Sequence, residues 1–463
     1  MSVFDLRHEE FTNSDKSIMT KVERLASELH GRSEEFLGYQ FNSVFDYSAL
    51  SPFLNVHLNN LGDPFSSGCK TIGTRRFEQI VLDMFADLWN AEGRHPLVPD
   101  SYWGYVLSMG STEGTMFALW NARDYLSGKP LLHETIWPTE KMPEPVIFCS
   151  QDTHYSVTKC ASLLNMATFH ELGSRRFPGE CPVTEDGSWP LAVASNDGSI
   201  DPLQLAELVK FFLDRGHPPV IVLTVGTTFK GAYDDPGLVW QALQPVLDRS
   251  GLSLGAAGDR QAFWIHIDGA LGGGYLPFLE KARGQGLVEE TGPIFDFRLP
   301  YVCSIVTSSH KWFGAPFPGG VYMSKEKFRL RPPSRPDYIA SADTTFAGSR
   351  NGLSALILWY ALMTRPTDNQ VRDAAYCSRL AEYGFSRLLE LNEKMPFLNA
   401  QRSPNSLALR FARPRSPVFS RFGLSGEGDQ AHIYVMPHVK QELLDRFFDV
   451  LSSPSAFVRR PPV

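Results

Sequence analysis

The sequence predicts an α/β protein, with a mostly parallel, doubly wound sheet followed by a smaller α+β domain. Short apolar runs that end in small or polar residues alternate with helical stretches through the middle of the chain. Strands that alternate with helices pair in parallel, because each helix carries the chain back across the sheet. The 37 glycines and 33 prolines indicate many turns, which are typical of an α/β enzyme rather than a helical bundle.

The spacing of apolar residues predicts each element in turn. Residues 18–29 and the segment from about residue 75 to 88 have apolar side chains three and four positions apart, as in amphipathic helices. Ligands bind beyond the carboxyl ends of the strands in parallel sheets, so the polar residues after each apolar run are the candidates for function. The predicted strands are 102–107, 146–149, 220–225, 263–267 and 302–307, and the helices between them include 116–125 and 202–213.

A stretch of arginines and prolines, residues 329–336, breaks regular structure and divides the chain. Beyond it the pattern predicts two helices, 353–363 and 374–391, and an alternating region from 408 to 436. We therefore expect an N-terminal helical and extended segment (1–65), a large domain (66–328) and a small C-terminal domain (329–463).

Composition excludes several classes of protein. The chain of 463 residues has 43% hydrophobic and 21% charged residues, so it is neither disordered nor fibrous. Its net charge of −7 gives no electrostatic reason to expect nucleic acid or an anionic membrane. No apolar window is long enough for a membrane span, and the charged first ten residues are unlike a signal peptide. The six cysteines include no CxxC pair, so we expect buried thiols, no metal site and a cytoplasmic protein.

A Gly-Ser-Thr-Glu-Gly motif, residues 110–114, stands between a predicted strand and a helix. Ser111 and Thr112 at the start of a helix can bind an anion, because the free amides and the helix dipole favour negative charge. A plain helix cap explains the same residues. His154 follows the strand 146–149, where it can stack on a planar ring, act as an acid or base, or serve the structure alone.

Asp268 ends the apolar run 263–267, and small residues follow it, including Ala270 and three glycines. A carboxylate at the end of a buried strand needs a cation or a donor as partner. The small residues are interpreted as room for a flat ligand, although an aspartate that caps a turn is the simpler alternative.

Lys311 closes the run 302–307 within Ser-Ser-His-Lys-Trp-Phe-Gly, residues 308–314. An isolated lysine is usually a solvated surface residue, but this apolar context favours a lysine with a lowered pKa or one converted to an imine.

These candidates together fit pyridoxal phosphate. That cofactor needs a phosphate site, a partner for its ring face, an acid at the pyridinium nitrogen and an imine-forming lysine. A metal site is not predicted, because histidines and acidic residues do not cluster at ligand spacing. A nicotinamide site is not predicted either, since no GxGxxG motif opens an early βαβ unit.

The order of His154, Asp268-x-Ala270 and Ser308-x-His310-Lys311 resembles the group II pyridoxal-phosphate-dependent amino-acid decarboxylases of fold type I. Within them the chain is most similar to the histidine decarboxylase-like branch, which includes serine, methionine and valine decarboxylases. The resemblance covers nearly the whole chain and extends to Phe45-Asp46-Tyr47, residues 59–65, Thr112-Glu113-Gly114, Gly226-Thr227-Thr228, residues 348–352 and Val435-Met436-Pro437.

The resemblance implies a seven-stranded, mostly parallel sheet and a homodimer whose active sites are shared between subunits. It also implies a role for each candidate residue. Lys311 would bind the cofactor covalently, Asp268 would pair with the ring nitrogen, and His154 and Ala270 would lie on opposite ring faces. The remaining assignments are Thr228 near the phenolic side of the ring, Ser111, Thr112, Ser308 and His310 at the phosphate, Ser349 near the dimer interface, and Tyr338 as the catalytic tyrosine that protonates the α-carbon.

The predicted reaction is decarboxylation of a free L-amino acid to its primary amine and CO₂. Gln40 follows Gly38-Tyr39 at a position where the histidine and serine branches typically have proline. This departure is either a neutral loop change or a sign of a different substrate, and in the second case it favours methionine or a similar aliphatic amino acid. The alternatives are L-histidine decarboxylation, another fold type I activity such as an aminotransferase or lyase, and a scaffold without catalysis.

Overall fold

The computed structural model of the chain describes residues 15–66, 72–132, 144–249, 260–332, 337–339 and 342–457. No helix in these ranges is both long and apolar enough to cross a membrane. The same ranges contain no cluster of three or more histidine, cysteine or acidic side chains that could hold a metal ion.

A mixed sheet forms the centre of the described structure. Its seven strands have the order β2-β10-β9-β8-β7-β3-β4. Of these seven strands, β10 runs antiparallel to both of its neighbours, and the other adjacent pairs are parallel. The prediction of a mostly parallel, seven-stranded sheet is therefore confirmed. The strands are β2 (Tyr102–Leu107), β3 (Val146–Phe148), β4 (Ala167–Thr168), β7 (Pro219–Thr224), β8 (Trp264–Asp268), β9 (Ser304–Ser308) and β10 (Gly320–Lys325).

Two short ribbons lie outside this sheet. β1 (Asn59–Leu61) pairs antiparallel with β11 (Ser349–Asn351), and β5 (Ser195–Asn196) pairs with β6 (Ser199–Ile200). The first ribbon joins segments that are almost 300 residues apart in sequence, 61 and 349 being direct partners. The division at residues 65 and 328 stays a prediction.

The helices connect and cover the strands. α6 begins at the predicted residue because the Asp201 side chain accepts the amides of Leu203 and Gln204, at 2.9 and 3.0 Å. α3 begins at Ser111, five residues earlier than predicted. The prediction missed its first turn because residues 111–114 include no large apolar side chain, so the helical spacing of apolar residues is not visible there. The helices are α1 (Asp15–Ser33), α2 (Arg75–Leu88), α3 (Ser111–Leu126), α4 (Ser156–Leu163), α5 (Phe169–Arg176), α6 (Pro202–Leu213), α7 (Pro236–Arg249), α8 (Gly272–Gly284), α9 (Gly352–Thr364), α10 (Thr367–Lys394), α11 (Ser416–Arg421) and α12 (Gln441–Leu451).

A small antiparallel sheet occupies the C-terminal part of the chain, as predicted for an α+β unit. It has the order β12-β14-β13, with β12 at Ala408–Ala412, β13 at Ser425–Glu427 and β14 at Gln430–Tyr434. α10 packs against β12 and α12. β14 also contacts the N-terminal segment, where the Tyr434 amide donates to the carbonyl of Leu37 at 2.7 Å.

Five cysteines lie in the described ranges, and all are buried free thiols. Burial raises the pKa of Cys149 to about 12 and the pKa values of Cys160 and Cys303 to about 11. The thiols of these three residues therefore stay protonated and unreactive in the folded chain.

Candidate active site

A cavity of about 250 Å³ opens where β7, β8 and β9 end and α3 begins. The last residue of each strand lines it, namely Thr224, Asp268 and Ser308. This is the position expected for a ligand in a parallel sheet. The cavity brings together these predicted site residues: Ser111, Thr112, His154, Thr228, Asp268, Ala270, Ser308, His310 and Lys311.

Lys311 follows β9 and is held by the two aromatic residues after it. Trp312 and Phe313 are fully buried, and the Trp312 indole donates to the Gln370 side chain at 2.8 Å. Burial lowers the pKa of Lys311, and the negative charge of Asp268 opposes that shift. A lysine in this environment carries the neutral, nucleophilic amine more often than a solvated one does.

Asp268 ends β8 with its side chain at the cavity. One carboxylate oxygen accepts the Ala270 amide at 3.1 Å, and its backbone carbonyl accepts the Val225 amide at 2.9 Å. The carboxylate acts electrostatically on the pKa values of both His154 and Lys311, so it faces the same space as these two side chains.

The glycines after Asp268 have a different role from the one predicted. They form the first turn of α8 rather than the cavity wall, and they let this helix approach the sheet. A β-carbon at Gly272 would lie 2.4 Å from the Val225 carbonyl oxygen, and one at Gly274 would lie 3.1 Å from the Trp312 side chain. Of the small residues that follow Asp268, Ala270 lines the cavity, whereas these glycines pack against the protein and do not provide the predicted room for a ligand.

His154 lies between the end of β3 and the start of α4. Its Nδ1 accepts the Ser156 amide at 3.3 Å and lies 2.7 Å from the Ser156 hydroxyl. With Nδ1 as an acceptor, the neutral ring carries its proton on Nε2. Burial lowers the pKa of His154, Asp268 opposes this and Lys311 adds to it. A neutral, flat ring is therefore available at the cavity.

The turn before α3 brings Ser111 and Thr112 to the cavity beside Ser308 and His310. Gly110 has φ +74°, and the Ser111 amide donates to the Ser308 hydroxyl at 3.2 Å. Burial and the neighbouring Lys311 lower the pKa of His310 to about 4. The His310 Nδ1 is buried without a hydrogen-bond partner in the described structure. Such a nitrogen fits a ligand that brings its own polar group.

Three predicted residues lie elsewhere. Gln40 is buried behind the cavity wall, where its amide donates to the Thr228 carbonyl at 3.2 Å. Ser349 is exposed on β11, and its hydroxyl accepts the Asn59 side-chain amide at 3.1 Å. Tyr338 belongs to the short 3₁₀ helix Asp337–Ile339, and its side chain is outside the described part of the chain.

Sequence reasoning missed several residues of the wall. Thr224 and Gly226 flank the end of β7, so the rule about strand ends would have found them. Tyr39, Met109, Tyr155 and Pro318 line the cavity from loops, and no local pattern predicts where loop side chains point.

The described residues fit pyridoxal phosphate. A lysine with a lowered pKa, a strand-end carboxylate and a flat histidine ring surround one cavity, which also has polar groups from the start of a helix. The roles of the individual residues stay predictions.

Comparison with known proteins gives the family. Residues 13–384 match the model of the pyridoxal-dependent decarboxylase conserved domain. The chain is 32% identical to serine decarboxylase 1 of Oryza sativa subsp. japonica, over 92% of this chain and 73% of that protein. It is 31% identical to the histidine decarboxylase of Solanum lycopersicum, over 96% and 90%.

The similarity to a solved structure extends over an even larger share of the chain. L-methionine decarboxylase from Streptomyces sp. 590, in complex with L-methionine methyl ester, is 39% identical with a TM-score of 0.90, and the match covers 99% of both chains. The chain therefore belongs to the group II pyridoxal-phosphate-dependent amino-acid decarboxylases, in the branch of the histidine and serine decarboxylases.

Proposed function

We propose that the chain decarboxylates L-methionine, or a similar aliphatic L-amino acid, to its primary amine and CO₂. The composition of the cavity wall carries this proposal. Among the described lining residues, Asp268 is the acidic side chain and Lys311 the lysine, and both are assigned to the cofactor. Tyr39, Met109 and Tyr155 offer apolar surface to a substrate, and no further charge remains to pair with a charged side chain. The likeness to L-methionine decarboxylase supports the same substrate class.

Pyridoxal phosphate, when bound, supplies an electron sink for the pair left on the α-carbon after CO₂ departs. The protein's residues prepare this chemistry. Asp268 holds a proton at the ring nitrogen, and His154 orients the ring through its face. Lys311 offers an amine with a lowered pKa for covalent attachment. Tyr338 or His154 Nε2 delivers a proton to the α-carbon, and protonation at this carbon gives the amine as product.

L-Histidine is the second candidate substrate, because curated relatives at 31% identity are histidine decarboxylases. The alternatives of an aminotransferase or another lyase lose their support, since the family match is to decarboxylases.

A product assay tests the proposal. The enzyme loaded with pyridoxal phosphate is supplied with each of the common amino acids, and amine and CO₂ are measured together. We expect the fastest release from methionine, in equal amounts of both products. The Lys311→Ala variant should fold and release neither product.

Faster turnover of histidine or serine would contradict the aliphatic substrate and leave the decarboxylase class intact. A keto acid or aldehyde as the main product would contradict the reaction itself.

The enzyme is proposed to act as a homodimer. α1 exposes Ile18, Val22, Leu25 and Leu29, which follow each other at steps of four, three and four residues. A stripe with this spacing is typical of a helix that packs against another helix. Ser349, which is exposed at the first position of β11, is the second candidate contact.

A further inference from the structure

The turn formed by residues 108–110 connects β2 to α3 and leads directly to Ser111 and Thr112. One carboxylate oxygen of Glu113, in the first turn of α3, accepts the amides of both Ser108 and Met109 at 2.8 Å. The left-handed φ of Gly110 completes the reversal of the chain. Glu113 does not line the cavity among the described residues, so it reaches the site only through this turn.

A second set of contacts supports the same turn from the opposite direction. The Ser108 hydroxyl accepts the Asn351 amide of β11 at 3.0 Å. The neighbouring strand residue Val106 donates its amide to Glu78 at 3.0 Å, and Glu78 is in a buried ion pair with Arg350. Ser108 is therefore fixed through its backbone by Glu113 and through its side chain by β11.

Glu113 is costly to bury, which argues for a specific role. Its side chain is 1% exposed, and its second carboxylate oxygen has no hydrogen-bond partner among the described atoms. Burial raises the pKa of Glu113, while the two amides and Arg350 oppose the shift. Among the contacts of this carboxylate, the two charge-assisted hydrogen bonds are the ones that reach the turn.

We propose that Glu113 is a positioning residue that shapes the turn 108–110, so that Ser111 and Thr112 are placed to receive the phosphate group of the cofactor. The proposal rests on the assignment of Ser111 and Thr112 to the phosphate. It predicts a selective effect, because a ligand with the same ring but no phosphate lacks the group that Ser111 and Thr112 would hold.

The experiment compares pyridoxal phosphate with pyridoxal, which lacks the phosphate. The apoprotein is titrated with each compound, with binding followed by absorbance. We expect the Glu113→Ala variant to bind pyridoxal phosphate about tenfold to a hundredfold more weakly, as for lost hydrogen bonds to a charged group. Its affinity for pyridoxal should stay within about twofold of the wild type. The Glu113→Gln variant keeps one acceptor oxygen and should recover part of the loss.

Glu171 provides a matched control. Its carboxylate also accepts a backbone amide at a helix start, that of Thr168 at 2.8 Å, but at α5 and away from the cavity. The Glu171→Ala variant should leave the ratio of the two affinities unchanged.

An equal loss for both compounds in the Glu113 variants would overturn the proposal and make Glu113 a general support of the fold. Unchanged binding of pyridoxal phosphate would overturn it as well. If the alanine variant does not fold, the ratio in the glutamine variant decides. Because the readout is cofactor binding, a wrong amino-acid substrate would leave this result untouched.

Discussion

Gln40 supports the cavity wall at Thr228. Its buried side chain lies behind Thr228 and donates to the carbonyl of that residue, which also accepts the Tyr434 hydroxyl at 3.2 Å. The other side-chain atom, Oε1, has no partner among the described atoms. The position of Thr228, and with it the shape of the wall, therefore depends on two side chains that do not line the cavity.

Replacing Gln40 should alter substrate choice. In Gln40→Ala the Thr228 carbonyl loses one of its donors and can shift, and Gln40→Pro also removes a backbone donor and fixes φ. We expect the ratio of kcat/KM for methionine over histidine to change by a factor that corresponds to about 1 kcal/mol or more of activation free energy. This is the magnitude typical of contacts in a substrate pocket. The affinity for the cofactor should not change.

Gln79→Ala is the control, because the Gln79 amide also donates to a backbone carbonyl, that of Pro64 at 2.8 Å, outside the cavity. If all substrates slow by one common factor in the Gln40 variants, Gln40 has only a structural role.

At the scale of single residues, the rule about strand ends explains what the sequence could predict. Asp268 and Ser308 end adjacent parallel strands, so their convergence follows once the strands are recognised. Gln40, whose departure from proline suggests a role in substrate choice, lies behind the wall, while the preceding residue Tyr39 lines the cavity. The direction of a loop side chain depends on contacts such as Tyr434, which is almost 400 residues away in the sequence.

At the scale of elements, the strands with long apolar runs were predicted within two residues. β4 has only two residues and β10 has an apolar core of three, Val321 to Met323, so neither gives a clear period. The antiparallel direction of β10 also has no local signal, because it depends on which partners the strand finds.

β8 carries a buried histidine that makes the fold sensitive to acid. His266 lies next to Ser304 of β9, with its Nδ1 2.8 Å from the Ser304 hydroxyl, and burial lowers its pKa to about 3. The unfolded chain binds a proton near the ordinary value of about 6.5, and the folded chain does not. The contribution of His266 to the free energy of unfolding should therefore fall as the pH drops from about 6.5 towards 3.

Urea unfolding at pH 7.5 and at pH 5 measures this effect. The His266→Gln variant should lose less stability between these two values than the wild type, because its side chain does not titrate. His310, whose pKa is lowered to about 4, retains an effect of the same sign. His30→Gln, at an exposed position on α1, should behave as the wild type does. An equal loss in wild type and His266→Gln would show that His266 is not responsible.

At the scale of the whole molecule, a single chain leaves apolar surface exposed on α1 and the polar side chain of Ser349 exposed on β11. The sequence predicts the helix and its apolar stripe, but contact between chains has no sequence period of its own. The homodimer therefore stays a prediction that needs a direct test.

Mixing two inactive variants tests shared sites. Lys311→Ala and Tyr338→Phe should each be inactive alone. If Tyr338 acts in the neighbouring subunit, mixed dimers contain one complete site, and refolding the two variants together should restore partial activity. A mixture of Lys311→Ala with Asp268→Ala is the control. Both residues line the cavity of the same chain, so every site in a mixed dimer still lacks one of them and no activity should return. Absence of recovery in the first mixture, or a fully active monomer in sedimentation, would contradict shared sites.

The reactivity of the buried cysteines can be used to follow local unfolding of the protein. Burial keeps all five described thiols from reacting with alkylating reagents while the chain is folded. Because they are spread from β3 to α10, each reacts only when its own region opens. The order in which they are alkylated under mild denaturant therefore maps which parts of the molecule unfold first.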